Sequence, residues 1–101
     1  MITVFARVRA ASWESFKSVH DTPEWQARLQ SAGNVGHEVF TQLDEAADVV
    51  FIDRWNYPQD ADDYYFSDAF AQGVNEMDGQ LMEVIKLESA ADTEKPPPTE
   101  P

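Results

Sequence analysis

Two hydrophobic periodicities alternate along this chain and run through it twice, and that pattern constrains its fold more than any other feature. Residues 2–9 (I-T-V-F-A-R-V-R) place Ile2, Val4, Ala6 and Val8 on one side and Thr3, Phe5, Arg7 and Arg9 on the other, the period of a strand. Helical spacing follows. Ser12 suits an N-cap, and Trp13, Phe16, Val19 and His20 share a face. Pro23 cannot continue that helix, because it lacks an N–H and its ring clashes with the preceding turn. Thr22, Pro23 and Glu24 instead read as a fresh start, with Trp25, Leu29 and Ala32 extending the apolar stripe and Gly33 as its stop. Residues 35–43 read as a second strand, 44–48 as a polar turn, and 49–57 as the strongest strand, ended by Pro58. Residues 60–77 are again helical and again broken, at Ser67: Ala61, Tyr64 and Tyr65 precede the break, and Phe70, Val74 and Met77 follow it. Gly79 closes this region, and 80–88 form the last strand.

The order is strand, broken helix, strand, strand, broken helix, strand. A split β-α-β unit has this order, so the expected class is α+β, a ferredoxin-like β-α-β-β-α-β domain over 1–88 with a four-stranded antiparallel sheet. Both helical regions would cover one sheet face. Strands one and three carry apolar side chains on both parities, so the other face needs a cover, and a second copy of the chain supplies one. A homodimer is therefore expected. It would also help stability, since a chain of this size buries only roughly 65% of its unfolded surface by itself. Residues 89–101 hold four prolines and no large apolar side chain, which predicts a flexible or polyproline-like acidic tail.

Cysteine is absent, which removes disulfides, thiolate metal sites and thiol nucleophiles. Seven basic residues against nineteen acidic ones give a net charge of −12, which repels nucleic acid and anionic membrane surfaces. No stretch approaches the ~20 apolar residues of a membrane span, and the first residues do not read as a signal peptide. The cytoplasm is the expected location.

Within the run 55–70, Trp55, Ala61, Tyr64, Ser67 and Phe70 form a pattern of strand-end Trp, helix Ala, aromatic and Ser-x-x-apolar. This resembles the dimeric α+β barrel superfamily, the antibiotic-biosynthesis-monooxygenase-like proteins and their small relatives. The resemblance in element order covers residues 1–88 and implies a dimeric α+β barrel. It also implies chemistry of the cofactor-independent monooxygenase or cyclase type on a small aromatic or polyketide-like substrate, with no cofactor and no metal. The alternative is a non-catalytic dimeric module that binds a small molecule. The haem-degrading branch fits poorly. Its Ser-Asp-x-Phe run stands here as Ser67-Asp68-Ala69-Phe70, but Val74 occupies the place of its iron-ligating His, and the first strand holds no Asn. The common monooxygenase pattern has a His about ten residues past the Trp, where this chain has Tyr65.

The candidate site residues are few. His20, on the apolar face beside Phe16, has the near-neutral pKa of a base able to take a proton from a phenol or activated carbon. At the end of a helix it equally suits the C-terminal dipole. Tyr64 is the expected hydrogen-bond donor and Arg7 the electrostatic stabiliser of an enolate, with Arg54 a second candidate that could instead pair with Asp53 or Asp48. Trp55, Phe70, Val74 and His37 are the expected substrate-binding residues, and aromatic side chains at helical spacing are equally core. Asp60, Asp62 and Asp63 lack the spacing and glycine of a calcium loop and fit the dipole of a helix start. No phosphate loop, nucleophile elbow or HExxH motif is present.

Overall fold

The computed structural model describes residues 1–42 and 45–88, except for the side chains of 45–47, so the proline-rich tail lies outside the described residues. Its elements are β1 (Ile2–Arg9), α1 (Trp13–His20), α2 (Pro23–Ser31), β2 (Asn34–Gln42), β3 (Glu45–Trp55), α3 (Pro58–Tyr65), α4 (Asp68–Glu76) and β4 (Gln80–Glu88). The strands form one antiparallel sheet in the order β2-β3-β1-β4. This is the α+β, ferredoxin-like arrangement expected from the sequence.

Both helix breaks have the local cause read from the chain. Ser12 caps α1 by accepting from the Ser15 N–H, and Thr22 caps α2 by accepting from the Trp25 N–H, with Pro23 at the first helical position. Ser67 caps α4 by accepting from the Phe70 N–H. Gly33, at φ 102°, takes the left-handed position that ends the first helical region.

Several boundaries differ from expectation. β3 already runs from Glu45, through residues that read as a polar turn. Asp48 sits opposite Arg9 on β1 and accepts from Arg9 Nε (2.7 Å) and Arg7 Nη1 (2.9 Å), so cross-strand pairing overrides its poor strand propensity. These contacts, that from Arg9 foremost, hold the buried Asp48 carboxyl below its ordinary range. β3 stops at Trp55 rather than at 57, and Pro58 opens α3 instead of ending a strand. After α4 the left-handed residue is Asp78 (φ 52°) rather than Gly79. Glycine is needed at 79 for a different reason: a Cβ there would lie 2.5 Å from the Arg9 carbonyl oxygen.

The core lies between the four helices and one face of the sheet. Val4, Ala6 and Val8 of β1 are fully buried there, in register with Asp53, Phe51 and Val49 of β3. Phe16, Trp25, Leu29, Ala61, Phe70 and Met77 pack onto them from the helices. The other sheet face carries Phe5, Val50 and Ile52 at its centre and the exposed Phe40, Ile85 and Leu87 around them. Among the described residues, no helix is long and apolar enough to cross a membrane.

Candidate functional site

A row of polar groups crosses the interface between the helices and the sheet. His20 ends α1, and its ring is buried against Phe16, Phe51 and Trp25, with centroid separations of 4.7, 5.8 and 5.8 Å. His37 lies on β2 directly opposite Asp53 on β3. Asp53 shares a parity with Val49, Phe51 and Trp55, which puts a fully buried carboxylate in the middle of an apolar strand face. A carboxylate placed there must be paired, because an unpaired buried charge costs several kcal/mol.

Both of its oxygens are used. His37 Nδ1 donates to Asp53 Oδ1 (2.5 Å), and the Tyr65 hydroxyl, arriving from α3, donates to Asp53 Oδ2. The chain continues the other way. His37 Nε2 meets His20 Nε2 at 2.8 Å, and His20 Nδ1 meets Asp21 Oδ1 at 2.8 Å. Asp21 is the exposed end of the row and Tyr65 its buried end.

Burial, reinforced by the Asp53 charge, drives the Tyr65 hydroxyl far above its ordinary pKa, so it remains a donor. Burial also lowers the His20 pKa below 6.5, with the Asp21 hydrogen bond opposing and the His37 charge adding to the fall. An unfolded chain binds this proton more readily than the fold does, so the contribution of His20 is present above pH 6.5 and is lost as the pH falls below it. Urea unfolding at stepped pH is expected to show stability declining below pH 6.5, with a slope of at most one proton from this source. His20→Gln removes that component; an unchanged slope in the variant would assign the decline to carboxylates alone.

Beside this row, α2, α3 and α4 enclose an open cleft of about 530 Å³ lined by Trp25, Arg28, Asp60, Tyr64, Ser67 and Phe70. The side chains of Arg28 and Tyr64 have no hydrogen-bond or ion-pair partner among the described residues. Burial, then the Asp53 charge, raises the Tyr64 hydroxyl, and Arg28 works against the rise. The cleft closes against Trp25, whose ring packs so tightly on α4 that a Cβ on Gly73 would lie 2.5 Å from it. A second cleft of about 380 Å³, between α3, α4 and β4, is lined by Tyr65, Phe66, Phe70, Val74 and Leu81. Among the described residues, no group of three or more His, Asp or Glu side chains could hold a metal ion.

The expected site residues therefore part company. His20 and His37 come together. Tyr64 and Phe70 line the first cleft, while Phe70 and Val74 line the second. Trp55 lines neither: it is fully buried between the helices and the sheet, with its ring 5.4 and 5.8 Å from Tyr64 and Tyr65. Arg7 is on the wrong side of the sheet for a shared site with His20 and Tyr64, because it has the parity of Phe5 rather than Val4. There it binds Asp48 (2.9 Å) and Glu83 (3.5 Å). Arg54 takes neither Asp53 nor Asp48 and lies 3.9 Å from Glu38. Read from the sequence alone, Asp53 and Arg28 have no place in the site, and Tyr65 enters only where the monooxygenase pattern has a His. The signal for Asp53 was available: an acid at core parity inside V-V-F-I-D-R-W needs a buried partner.

No family model matches the sequence, and no curated protein matches it. Solved structures do. A candidate antibiotic biosynthesis monooxygenase from Deinococcus radiodurans matches with a TM-score of 0.63 at 14% identity, covering 89% of this chain and 93% of its own. SnoaB, a cofactor-independent oxygenase from Streptomyces nogalater, matches with a TM-score of 0.59 at 17% identity, covering 87% and 91%. A conserved protein from Methanosarcina mazei matches with a TM-score of 0.54 at 16% identity, covering 84% and 88%. Identities this low establish a fold and nothing finer: the chain has the α+β fold of the antibiotic-biosynthesis-monooxygenase structures.

Proposed function

We propose that the chain binds a small aromatic or polyketide-like molecule in the cleft between α2, α3 and α4 and oxidises it with molecular oxygen, without a cofactor. The observation that carries this reading is a buried acid–base row beside a largely apolar cleft whose lining includes Arg28, Tyr64, Asp60 and the Trp25 indole N–H, polar groups with no hydrogen-bond or ion-pair partner among the described residues. Trp25, Phe70 and the ring of Tyr64 sandwich a planar substrate, and Arg28 with the Tyr64 hydroxyl holds its ionised oxygen. His20 accepts the proton whose loss makes the substrate an electron-rich enolate or phenolate. Trp25 stands between His20 and the cleft, so the transfer needs the indole to shift or a water to pass beside it. Conversion of a CH2 to a carbonyl by O2 also yields one water and balances its four electrons without an added reductant. SnoaB, which shares the fold, is a cofactor-independent oxygenase.

The test is oxygen uptake by the purified chain, with no cofactor added, over a panel of electron-rich phenols and polycyclic enols. A substrate is expected to gain one atom of labelled oxygen. His20→Ala is expected to lower kcat at least about 100-fold, the span of general-base catalysis, with its circular dichroism unchanged. A second reading, binding without turnover, draws on the fact that neither His20 nor His37 lines the cleft. Calorimetric binding of panel compounds with no oxygen uptake would establish that reading instead.

The proposal includes a homodimer across the open sheet face. Despite the net charge of −12, the acids on this face are matched among the described residues: Asp48 with Arg7 and Arg9, Glu83 with Arg7, Glu38 with Arg54. Local neutrality beside Phe40, Ile85 and Leu87 suits a second copy. Sedimentation is expected to give twice the 11.4 kDa chain mass, and Ile85→Asp to return it to one. A monomeric wild type would end the idea.

A further inference from the structure

We infer that His20 and His37 form a single-proton site: two imidazoles that bind one extra proton between Asp21 and Asp53 and reject a second. The inference rests on counting hydrogens along the row. Asp21 and Asp53 are acceptors, so the links Asp21–His20, His20–His37 and His37–Asp53 each need one proton from the imidazoles.

A neutral pair has two protons for three links. His37 Nδ1 keeps one, because Asp53 is wholly buried and no other donor among the described residues reaches Oδ1. His20 Nε2 supplies the second to His37 Nε2. The Asp21 link is then left empty, and Asp21, with its side chain 58% exposed, can turn to water. One added proton fills all three links. Another would set two N–H groups head to head across 2.8 Å, which repels. The ring centroids stand 5.1 Å apart, little more than that gap plus two ring radii, so the two Nε2 atoms meet end on.

The groups that bear on the pair come from every element around it. Asp21 faces it from the corner between α1 and α2, Asp53 from β3, and Tyr65 from α3 by way of Asp53. The Phe16, Trp25 and Phe51 rings supply walls without charge. Proton uptake thus ties the corner that leads into Trp25 and the cleft to the two strands beneath it. The inference deepens the proposed reaction by making the pair, rather than His20 alone, the proton acceptor. Its test needs no turnover, so the two readings fail separately.

A metal is the competing occupant, since ligating histidines also anchor Nδ1 on carboxylates. Two Zn–N bonds of about 2.0–2.1 Å at a tetrahedral angle hold the nitrogens well beyond 2.8 Å and not end on. An N–H···N hydrogen bond fits the observed distance.

Side-chain 15N resonances of the two histidines, followed against pH on the full chain, test the inference. Both rings are expected to report one shared step worth one proton, with His37 in the Nδ1–H tautomer on its basic side. Asp53→Asn removes the anionic anchor and is expected to weaken proton affinity about tenfold or more. Should that variant not fold, Tyr65→Phe serves. It leaves Asp53 with one donor fewer and is expected to strengthen proton uptake about threefold. Two independent steps totalling two protons would overturn the inference, as would an unmoved midpoint in Tyr65→Phe. Zinc chloride shifting both Nε2 resonances at micromolar concentration would also overturn it, in favour of a metal site.

Discussion

Asp53→Ala is expected to lower the free energy of unfolding by about 3–5 kcal/mol, the range for removing one partner from a buried charge network. The carboxylate is wholly buried and satisfies two groups at once, His37 Nδ1 and the Tyr65 hydroxyl. Its loss leaves both donors beneath the helices without their acceptor. The triple replacement Asp53→Leu, His37→Leu, Tyr65→Phe is expected to recover most of that loss, because both donors go with their acceptor and only His20 Nε2 loses a partner. Urea denaturation of both proteins separates the cases. A loss below about 1 kcal/mol in Asp53→Ala would mean that the carboxylate is not the hub of the row.

Trp55→Ala is expected to cost a similar amount, about 3–5 kcal/mol, as large-to-small changes of buried aromatics do. The sequence reading placed Trp55 among substrate-binding residues, but its indole is fully buried against Tyr64 and Tyr65 and borders neither cleft. The effect should therefore appear in stability and not in ligand affinity. Trp55→Phe, which keeps an aromatic in the space, is expected to cost clearly less and to leave binding in the α2–α3–α4 cleft unchanged. A Trp55→Phe protein that is stable yet loses ligand would return this residue to the site.

Much of the fold was legible because its determinants are local. Thr22-Pro23 and Ser67 break the helices wherever the chain goes, since a missing N–H and a capping hydroxyl act within one turn. The start of β3 was misread because its strand state depends on a neighbour far along the chain: Asp48 is stable in a strand only with Arg9 across from it. The site was less legible for the same reason. His20 could be placed on an inward face from helical spacing, but its partner His37 and, beyond it, Asp53 lie 17 and 33 residues further on. The face that Arg7 occupies was not legible, because alternation shows that two faces exist without showing which one the helices cover.

By itself, then, the sequence determined the element order, the two broken helices, the antiparallel α+β class and the exclusion of thiol chemistry. Each follows from period, capping and composition, which act over a few residues. The tertiary structure alone decided that the helices cover the parity of Val4 and Asp53, leaving Arg7 and Phe5 on the open face. That choice put His20, His37, Asp53 and Tyr65 in one row and Trp55 out of the cleft. The physical reason is that a buried charge is tolerable only where its partners converge, and convergence belongs to the packing of α1, α3, β2 and β3 rather than to any one of them.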